Sequence, residues 1–338
     1  MDSLTQIVLG GAVGEAVLGK KVGNKAILWG AIAGTIPDLD IFIRFFTDQI
    51  TSMEMHRGFS HSILFSVLLA PILGWLVSKI HSKHENVDWK DWTKMMFFSL
   101  VTHPLLDAHT NYGTQLLWPS DVRVAYNNIF IADPLYTLPF LGFLIATMFY
   151  KRGSVKRKNM NRIGLIVSSA YMLGTLAVKW HTYNVFEKNL MQQEISFTEI
   201  SNQPTALNSV LWFANVQTEK GFLIGYHSLF DNDEQVDFSI KVAKNHHLLG
   251  SLKEEREVKQ LVKMSKDWYT IEKEGDYIIF NDLRFGFIGI PSAKNPQFAF
   301  SFKFIKENGK LQIIQNSSRD KVNFSESFSK LIERIKGN

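Results

Sequence analysis

The sequence contains no cysteine. Disulfides, thiolate metal sites and cysteine nucleophiles are therefore excluded, and any bound metal ion must be held by histidine and carboxylate side chains. Three familiar motifs are also absent: the His-Glu-x-x-His of zinc proteases, the phosphate-binding loop of nucleotide hydrolases, and the Gly-x-Ser-x-Gly elbow. These absences argue against an ordinary metalloprotease, ATPase or α/β-hydrolase, and leave hydrolysis by another metal arrangement open.

Long apolar stretches are confined to the first half of the chain. Mean hydropathy is an ordinary −0.03 over 338 residues, but from Tyr183 onward short apolar runs alternate with charged ones. The candidate membrane spans are residues 4–18, 26–46, 60–80, 95–106, 129–150 and 163–180. The pattern predicts a polytopic α-helical membrane domain over residues 1–182, followed by an extracytoplasmic α+β domain over residues 183–338. The first span lacks a preceding basic region, so we expect it to be retained.

Basic residues concentrate beside the apolar stretches. The loop at residues 151–162 has six Lys and Arg and no acidic residue, and lysines also collect in residues 20–25 and 79–94. The positive-inside rule places these three loops in the cytoplasm, and residues 47–59, residues 111–128 and the chain after Trp180 outside. The same placement explains the net charge of +5 without a nucleic-acid partner. We expect a multi-pass membrane protein, with lipids as its neighbours.

Glycine spacing predicts that the first two helices approach closely. Gly10 and Gly14 form one small-xxx-small pair, and Gly30 and Gly34 form another. After residue 183, alternation of apolar and polar residues predicts strands, and two stretches have the spacing of amphipathic helices. The strands are residues 206–216, 222–230, 236–242, 277–280, 298–305 and 311–315, and the helices are residues 254–264 and 324–335.

Two carboxylates interrupt the second apolar stretch. In Thr35-Ile-Pro-Asp-Leu-Asp40, Pro37 is expected to break the helix, so that Asp38 and Asp40 extend from irregular backbone. At ~1.5 Å of rise per residue from Lys25, Asp38 lies roughly 20 Å from the cytoplasmic side. On a soluble surface Asp-x-Asp is usually a turn. Inside an apolar run such charges are costly, which favours a functional role.

Two histidines open the third stretch. In His56-Arg-Gly-Phe-Ser-His61 they are five residues apart, which is not one face of a regular helix. A loop His56, with Ser60 capping a helix that begins at His61, would let the rings converge. The alternative is a polar loop at the membrane edge with one capping histidine. Arg57 can neutralise a phosphate or extend to lipid headgroups.

His103 in the fourth stretch and Asp107 directly after it are four residues apart, so they share one helical face. That geometry suits two ligands of one ion, or one ligand with its orienting partner. Counted from Lys94, their depth is about 15 to 20 Å, the level expected for Asp38. The sequence therefore predicts a metal site to which three stretches contribute.

Other polar residues are weaker candidates for a role at the metal site. Residues that could support the ligands are Asp2, His109 and Asp133. Asp133 precedes a proline, so starting a helix is its alternative role. Glu15 and Arg44 are charges in apolar stretches without an obvious partner. The remaining histidines are expected to face solvent or the second domain: His81, His84, His181, His227, His246 and His247.

Several of these segments resemble, in order, a known family: the YdjM-type membrane-bound metal-dependent hydrolases, which include a LexA-regulated inner-membrane protein. The matching segments are Met1-Asp-Ser-Leu-Thr-Gln6, Gly30-Ala-Ile-Ala-Gly-Thr-Ile-Pro-Asp-Leu-Asp40, His56-Arg-Gly-Phe-Ser-His-Ser62, Thr102-His-Pro-Leu-Leu-Asp107, Tyr112-Gly-Thr-Gln-Leu-Leu-Trp-Pro119 and Asp133-Pro-Leu-Tyr-Thr137. The resemblance covers about residues 1–180, and Asp282-Leu-Arg-Phe-Gly286 is similar to the tail of longer members. Gln6 departs from the pattern, since many family members carry His there. The resemblance implies a metal-dependent hydrolase of the bacterial inner membrane, sometimes suggested to act on phospholipids.

Residues and resemblance together predict a divalent ion, zinc or manganese. The predicted ligands are Asp38, Asp40, His56, His61, His103 and Asp107. Asp40 and Asp107 are candidates for proton transfer, and Arg57 for stabilising negative charge. The expected reaction is that of a phospholipase or phosphatase on a lipid or isoprenoid phosphate or ester at the outer leaflet. The alternative is a non-enzymatic membrane protein with a structural or transported metal ion and a partner-binding outer domain.

Overall fold

The structure, a computed structural model, describes residues 1–82, 87–290, 297–307, 310–316 and 324–338. The chain divides into two compact units. The first contains Met1–Thr47 and Met55–Leu176, and the second contains Asp48–Glu54 and Ala177–Asn338. A short piece of the N-terminal half therefore belongs to the second unit. His84 lies outside the described residues.

The N-terminal region is helical, and each predicted span overlaps at least one helix. The helices are α1 (Ser3–Val22), α2 (Asn24–Thr35), a 3₁₀ helix (Pro37–Phe45), α3 (Gln49–Met55), a 3₁₀ turn (Phe59–His61), α4 (Ile63–Ile80), α5 (Trp89–Asp107), α6 (Pro134–Phe149) and α7 (Val155–Gln192). Of these, α4 and α7 are long and apolar enough to cross a bilayer. The α2 helix and the following 3₁₀ helix meet at a 43° bend and could form a third span. The orientation of the chain stays a prediction.

The first two helices pack backbone against backbone through glycine. A Cβ added to Gly10 would lie 2.4 Å from the carbonyl oxygen of Gly30, and one added to Gly14 would lie 2.3 Å from that of Ala26. A Cβ on Gly34 would lie 2.7 Å from the carbonyl oxygen of Gln6. Small residues at these positions therefore set the distance between α1 and α2, and with it the position of Gly34.

Glu15, which has no obvious partner in the sequence, is paired with Arg157. The guanidinium donates from Nε to Glu15 Oε1 at 2.7 Å and from Nη2 to Oε2 at 2.6 Å, with both side chains buried. Arg157 comes from α7, 142 residues away, in a loop predicted from its charge to be cytoplasmic. The bidentate pair ties α1 to α7 and neutralises both charges.

Within its described residues, the second unit contains two four-stranded antiparallel sheets, each with its strands in chain order. The first sheet has β1 (Glu199–Pro204), β2 (Leu211–Gln217), β3 (Gly221–Ser228) and β4 (Ile240–Ala243), and the second has β5 (Tyr269–Glu274), β6 (Tyr277–Asp282), β7 (Ser301–Glu307) and β8 (Lys310–Asn316). Helix α8 spans Arg256–Ser265, and α9 spans Phe324–Ile335. Sequence analysis missed β1 and β5, since β1 is mostly polar with a terminal proline and β5 ends in three charged residues.

A compact apolar core lies between the second sheet and α8. Phe280 and Phe302 of the sheet are fully buried together with Val258 and Leu261 of α8. Ile50, from the short N-terminal piece, is a member of the same core. Burial of these side chains is the main apolar stabilisation in this part of the unit.

A buried histidine at the end of β3 should make the second unit acid-sensitive. His227 Nδ1 lies 3.2 Å from Asp231 Oδ2, and Arg334 holds that carboxylate. Burial lowers the pKa of His227 from its usual 6.5, with the nearby His181 and Arg334 acting in the same direction and Asp231 opposing them. The unfolded chain therefore binds more protons below about pH 6.5, and stability is lost as pH falls from that value.

We expect limited proteolysis of the full chain in graded urea to show residues 199–338 unfolding at lower urea near pH 5.5 than at neutral pH. A His227→Gln variant cannot take up that proton, so the difference should shrink. Equal pH dependence in variant and wild type would assign the acid sensitivity to another group.

Candidate metal centre

Four side chains converge at the end of the first unit where the 3₁₀ helix, the turn before α4 and the end of α5 meet. One ligand atom each from Asp38, His61, His103 and Asp107 lies within 4.8 Å of the other three. The two histidine Nε2 atoms are 3.1 Å apart. The sequence predicts a metal site to which three apolar stretches contribute, and these four residues lie in those stretches or directly after them.

The distances to the carboxylates are similar around the cluster. Asp38 Oδ1 lies 3.3 Å from His61 Nε2 and 3.4 Å from His103 Nε2. Asp107 Oδ2 lies 3.4 Å and 3.7 Å from the same two atoms. Two imidazole nitrogens and two carboxylate oxygens at these distances form a donor set that could hold a metal ion.

The backbone of α2 holds His103. Its Nδ1 donates a hydrogen bond of 2.6 Å to the carbonyl oxygen of Gly34, which leaves Nε2 with a free lone pair toward the cluster. That carbonyl is within reach because α1 and α2 pack closely through glycine. Sequence analysis did not find this contact, since a backbone carbonyl carries no residue signature.

Asp40 holds the second histidine from the opposite side. Its Oδ2 lies 3.1 Å from His61 Nδ1 and accepts hydrogen bonds from the Ser60 hydroxyl at 2.8 Å and from the backbone N–H of Arg57 at 3.0 Å. Its Oδ1 pairs with His56 Nδ1 at 2.8 Å. The structure thus brings Asp40 and His56 together beside the four-residue cluster, where both contact its surroundings instead of its centre.

Asp107 is a fully buried carboxylate with an unsatisfied oxygen. Oδ1 accepts from Gln6 Nε2 at 2.8 Å and from the amino group of Met1. Oδ2 lies 3.0 Å from Arg57 Nε without the alignment of a hydrogen bond. Among the described residues, Oδ2 has no hydrogen-bond partner. Buried polar atoms are rarely left unpaired, and a cation among the four ligand atoms would satisfy this one.

The guanidinium of Arg57 offsets the negative charge of Asp107 in the cluster. Its side chain is buried, its Nη1 donates to the Thr110 hydroxyl at 2.6 Å, and its guanidinium lies 5.4 Å from the centre of the Tyr112 ring. Its backbone has φ of 57°, a left-handed conformation that is uncommon outside glycine. The contacts with Asp107 and Thr110 hold the guanidinium in place.

The other predicted supporting residues have separate local roles. Asp2 caps α1 by accepting from the Thr5 N–H at 3.1 Å, and Asp133 caps α6 by accepting from the Leu135 N–H at 2.9 Å. Asp133 also accepts from the Tyr171 hydroxyl at 2.8 Å. His109 pairs with Asn128 at 2.9 Å. Gln6, at the position where the family resemblance leads one to expect histidine, contacts Asp107 directly.

The approach to the cluster is apolar. The Asp38 side chain is 29% exposed, whereas those of His61, His103 and Asp107 are 0% exposed. On the 3₁₀ helix that carries Asp38, a group of large apolar side chains is exposed: Leu39, Ile41, Phe42 and Phe45. A molecule that reaches Asp38 along this helix meets hydrocarbon surface.

A known protein family matches the N-terminal part of the chain. A family model described as YdjM inner membrane protein matches residues 1–183, which is more than half of the 338 residues and includes the whole metal centre. No curated protein and no solved structure matches the chain significantly. The second unit after residue 183 lies outside the matched range.

Proposed function

The chain belongs to the YdjM inner membrane protein family, and we propose that it is a membrane-embedded, metal-dependent hydrolase acting on a lipid or isoprenoid phosphate or ester at the outer leaflet. The observation that carries the proposal is the convergence of Asp38, His61, His103 and Asp107 within 4.8 Å. A buried carboxylate oxygen, Asp107 Oδ2, supports it, since among the described residues this atom has an ion-pair contact with Arg57 but no hydrogen-bond partner. When bound, a divalent ion supplies Lewis acidity that activates water and polarises a phosphoryl or acyl oxygen.

The residues at the metal centre would have three separate tasks. The four converging side chains hold the ion. Asp40 and the carbonyl of Gly34 each contact the Nδ1 of one histidine, which keeps both Nε2 atoms facing inward. Arg57 offsets the charge of the buried Asp107 carboxylate.

An apolar substrate is supported by the surface next to Asp38. The exposed fractions of Phe42 and Phe45 are 53% and 66%, and such surface buries favourably against acyl or prenyl chains. A phosphate or ester group at the end of such a chain would reach the least buried ligand, Asp38. These features favour a lipid over a bulky soluble substrate.

Metal transport is less well supported than hydrolysis. A transported ion needs polar groups that continue through the membrane beyond the site. From the sequence, Glu15 is the candidate for such a group on the cytoplasmic side of the site. In the structure, Arg157 donates to both of its carboxylate oxygens. Because the pair is buried and neutral, Glu15 is not available as the next ligand of a moving ion.

Hydrolysis is tested with purified full-length protein in detergent micelles containing phospholipids or isoprenoid phosphates, with zinc or manganese added. We expect the wild type to release phosphate or fatty acid, and we expect the activity of Asp38→Asn to be at least ~100-fold lower. Loss of a residue that only orients a ligand lowers metal affinity or activity roughly 10- to 100-fold, and loss of a ligand itself should cost more. Asp91→Asn is the matched control, because Asp91 is a carboxylate of the same unit whose side chain is 29% exposed, as is that of Asp38, and it pairs with Lys21 at 2.6 Å away from the cluster.

Equal activity in Asp38→Asn and Asp91→Asn would refute the proposed role of the cluster. A wild type that binds metal stoichiometrically yet releases no product from either lipid class would favour the structural metal site. Metal content is therefore measured on the same samples.

A further inference from the structure

The apolar stretch of α7 ends inside the second unit. The stretch that the sequence predicts to span the membrane ends at Trp180, and this part of the second unit begins at Ala177. Helix α7 is long and apolar enough to cross a bilayer, and the Trp180 side chain is 71% exposed. Tryptophan is enriched where a spanning helix meets the lipid–water boundary. The sequence therefore places that boundary at Trp180, with the bilayer on the side of the residues that precede it.

The first sheet packs on the part of α7 that follows Trp180. Phe186 and Leu190 of the helix share an apolar core with Trp212 and Val216 of β2. The sheet and this part of the helix both belong to the second unit. The position of the sheet along the helix is therefore set within one unit.

Strand β1 runs along α7 toward the bilayer. Just after the end of α7, the N–H of Ile195 donates to the carbonyl oxygen of Leu190 at 2.9 Å, so the chain turns back there. Further along, Asn202 of β1 donates from Nδ2 to the carbonyl oxygen of Lys179 at 2.8 Å. A strand advances about 3.3 Å per residue. The loop that follows β1 therefore lies at the level of Trp180 or nearer to the bilayer.

The turn that follows β3 lies beside this loop. The N–H of Leu229 in the turn donates to the carbonyl oxygen of Val210, in the loop between β1 and β2, at 3.1 Å. At the end of β3, the ring of His227 has its centroid 6.4 Å from that of His181, the residue after Trp180 in α7. The loop and the turn thus form one end of the first sheet, on its bilayer side.

This end of the sheet exposes large apolar side chains. Leu207 of the loop is 40% exposed, and Leu229 and Phe230 of the turn are 38% and 61% exposed. Turns are usually built from small or polar residues. The turn between β2 and β3, at the opposite end of the same sheet, exposes the charged Glu219 and Lys220. Apolar exposure confined to one end of a sheet indicates that another apolar phase covers it.

We propose that Leu207, Leu229 and Phe230 form a lipid-contact surface that rests in the interfacial region of the bilayer. Their position along α7 assigns lipid as the partner, because they continue the apolar surface of a spanning helix at the level of Trp180. Apolar side chains at this depth bind the membrane in proportion to the area that they bury. The contact holds the first sheet at the membrane surface, and it needs no metal ion at the centre.

Electron paramagnetic resonance of the full-length protein in liposomes of phosphatidylethanolamine and phosphatidylglycerol tests the surface. The chain contains no cysteine, so Phe230→Cys and Leu207→Cys each accept a single nitroxide label. Lys220→Cys, at the opposite end of the same sheet, is the matched control. Oxygen concentrates in the bilayer, whereas a nickel chelate stays in water. We expect the ratio of oxygen to nickel accessibility to be several-fold higher at positions 230 and 207 than at position 220.

Equal ratios at the three positions would place the surface in water and overturn the proposal. Low accessibility to both reagents at positions 230 and 207 would show that protein covers them, and would overturn lipid as the partner. Circular dichroism and gel filtration restrict the comparison to folded variants.

A charge placed in the surface tests whether its side chains act together. Adding Phe230→Asp to the labelled Leu207→Cys chain should lower the ratio at position 207, because a charged side chain is costly in hydrocarbon. Adding Lys220→Asp instead should leave that ratio unchanged. A ratio that survives Phe230→Asp, or falls equally with Lys220→Asp, would contradict a shared lipid-contact surface.

Discussion

Replacing both His103 and Asp107 by alanine is expected to strip the purified protein of its metal ion. The two residues supply two of the four converging ligand atoms, and only Asp38 and His61 remain as ligands in the variant. Removal of a single orienting partner already costs roughly 10- to 100-fold in metal affinity, so loss of two ligands should lower it further. Wild type should hold near-stoichiometric zinc or manganese.

The measurement is elemental analysis of both proteins after gel filtration in detergent, with helicity followed by circular dichroism. Because loss of Asp107 leaves Arg57 buried without its partner, at a cost of about 3–5 kcal/mol, the double variant can lose folded protein. The variant His61→Gln with His103→Gln retains the pair of Asp107 and Arg57 and serves as the second test. Stoichiometric metal in either folded variant, or none in wild type after incubation with zinc and manganese, contradicts the site.

Gly14→Leu is expected to prevent α1 and α2 from packing. Even a Cβ at this position would lie 2.3 Å from the carbonyl oxygen of Ala26, and backbone cannot rotate away as a side chain can. Overpacking typically lowers the free energy of unfolding by ~1–3 kcal/mol. Because the clash here is with backbone, we expect a loss at the top of that range or larger. Separation of the helices also moves the Gly34 carbonyl that holds His103, so metal binding should fall in whatever protein folds.

Gly142→Leu is the matched control for this substitution. Gly142 is an exposed position on α6, and among the described residues no atom lies within 4 Å of an added Cβ. Leucine there should be tolerated and should favour the helix, since glycine costs about 1 kcal/mol in a helix interior. Monodisperse yield and thermal midpoint in detergent distinguish the two variants. Equal yields and midpoints would show that close packing of α1 and α2 is dispensable.

Much of the candidate site can be predicted from local pattern. His103 and Asp107 stand out because a spacing of four residues places them on one helical face inside an apolar run. Asp38 stands out because a proline breaks the helix beside it. The small-xxx-small glycines predict that the first two helices approach closely, which is how they pack. The family resemblance is confirmed by the match over residues 1–183. Each of these signals lies within a few residues of sequence.

What the sequence alone determined is therefore the identity of the family, the helical character of the first half and the residue types available for metal binding. The tertiary structure alone decided how those residues divide their work. Asp38 and Asp40 are two residues apart, yet Asp38 belongs to the cluster of ligand atoms whereas Asp40 pairs with His56. The pairing of Glu15 with Arg157 and the burial of Ile50 with Leu261 join residues more than 100 positions apart. Such contacts form only when the whole chain packs, since close packing selects partners by position in space and not by order in the chain.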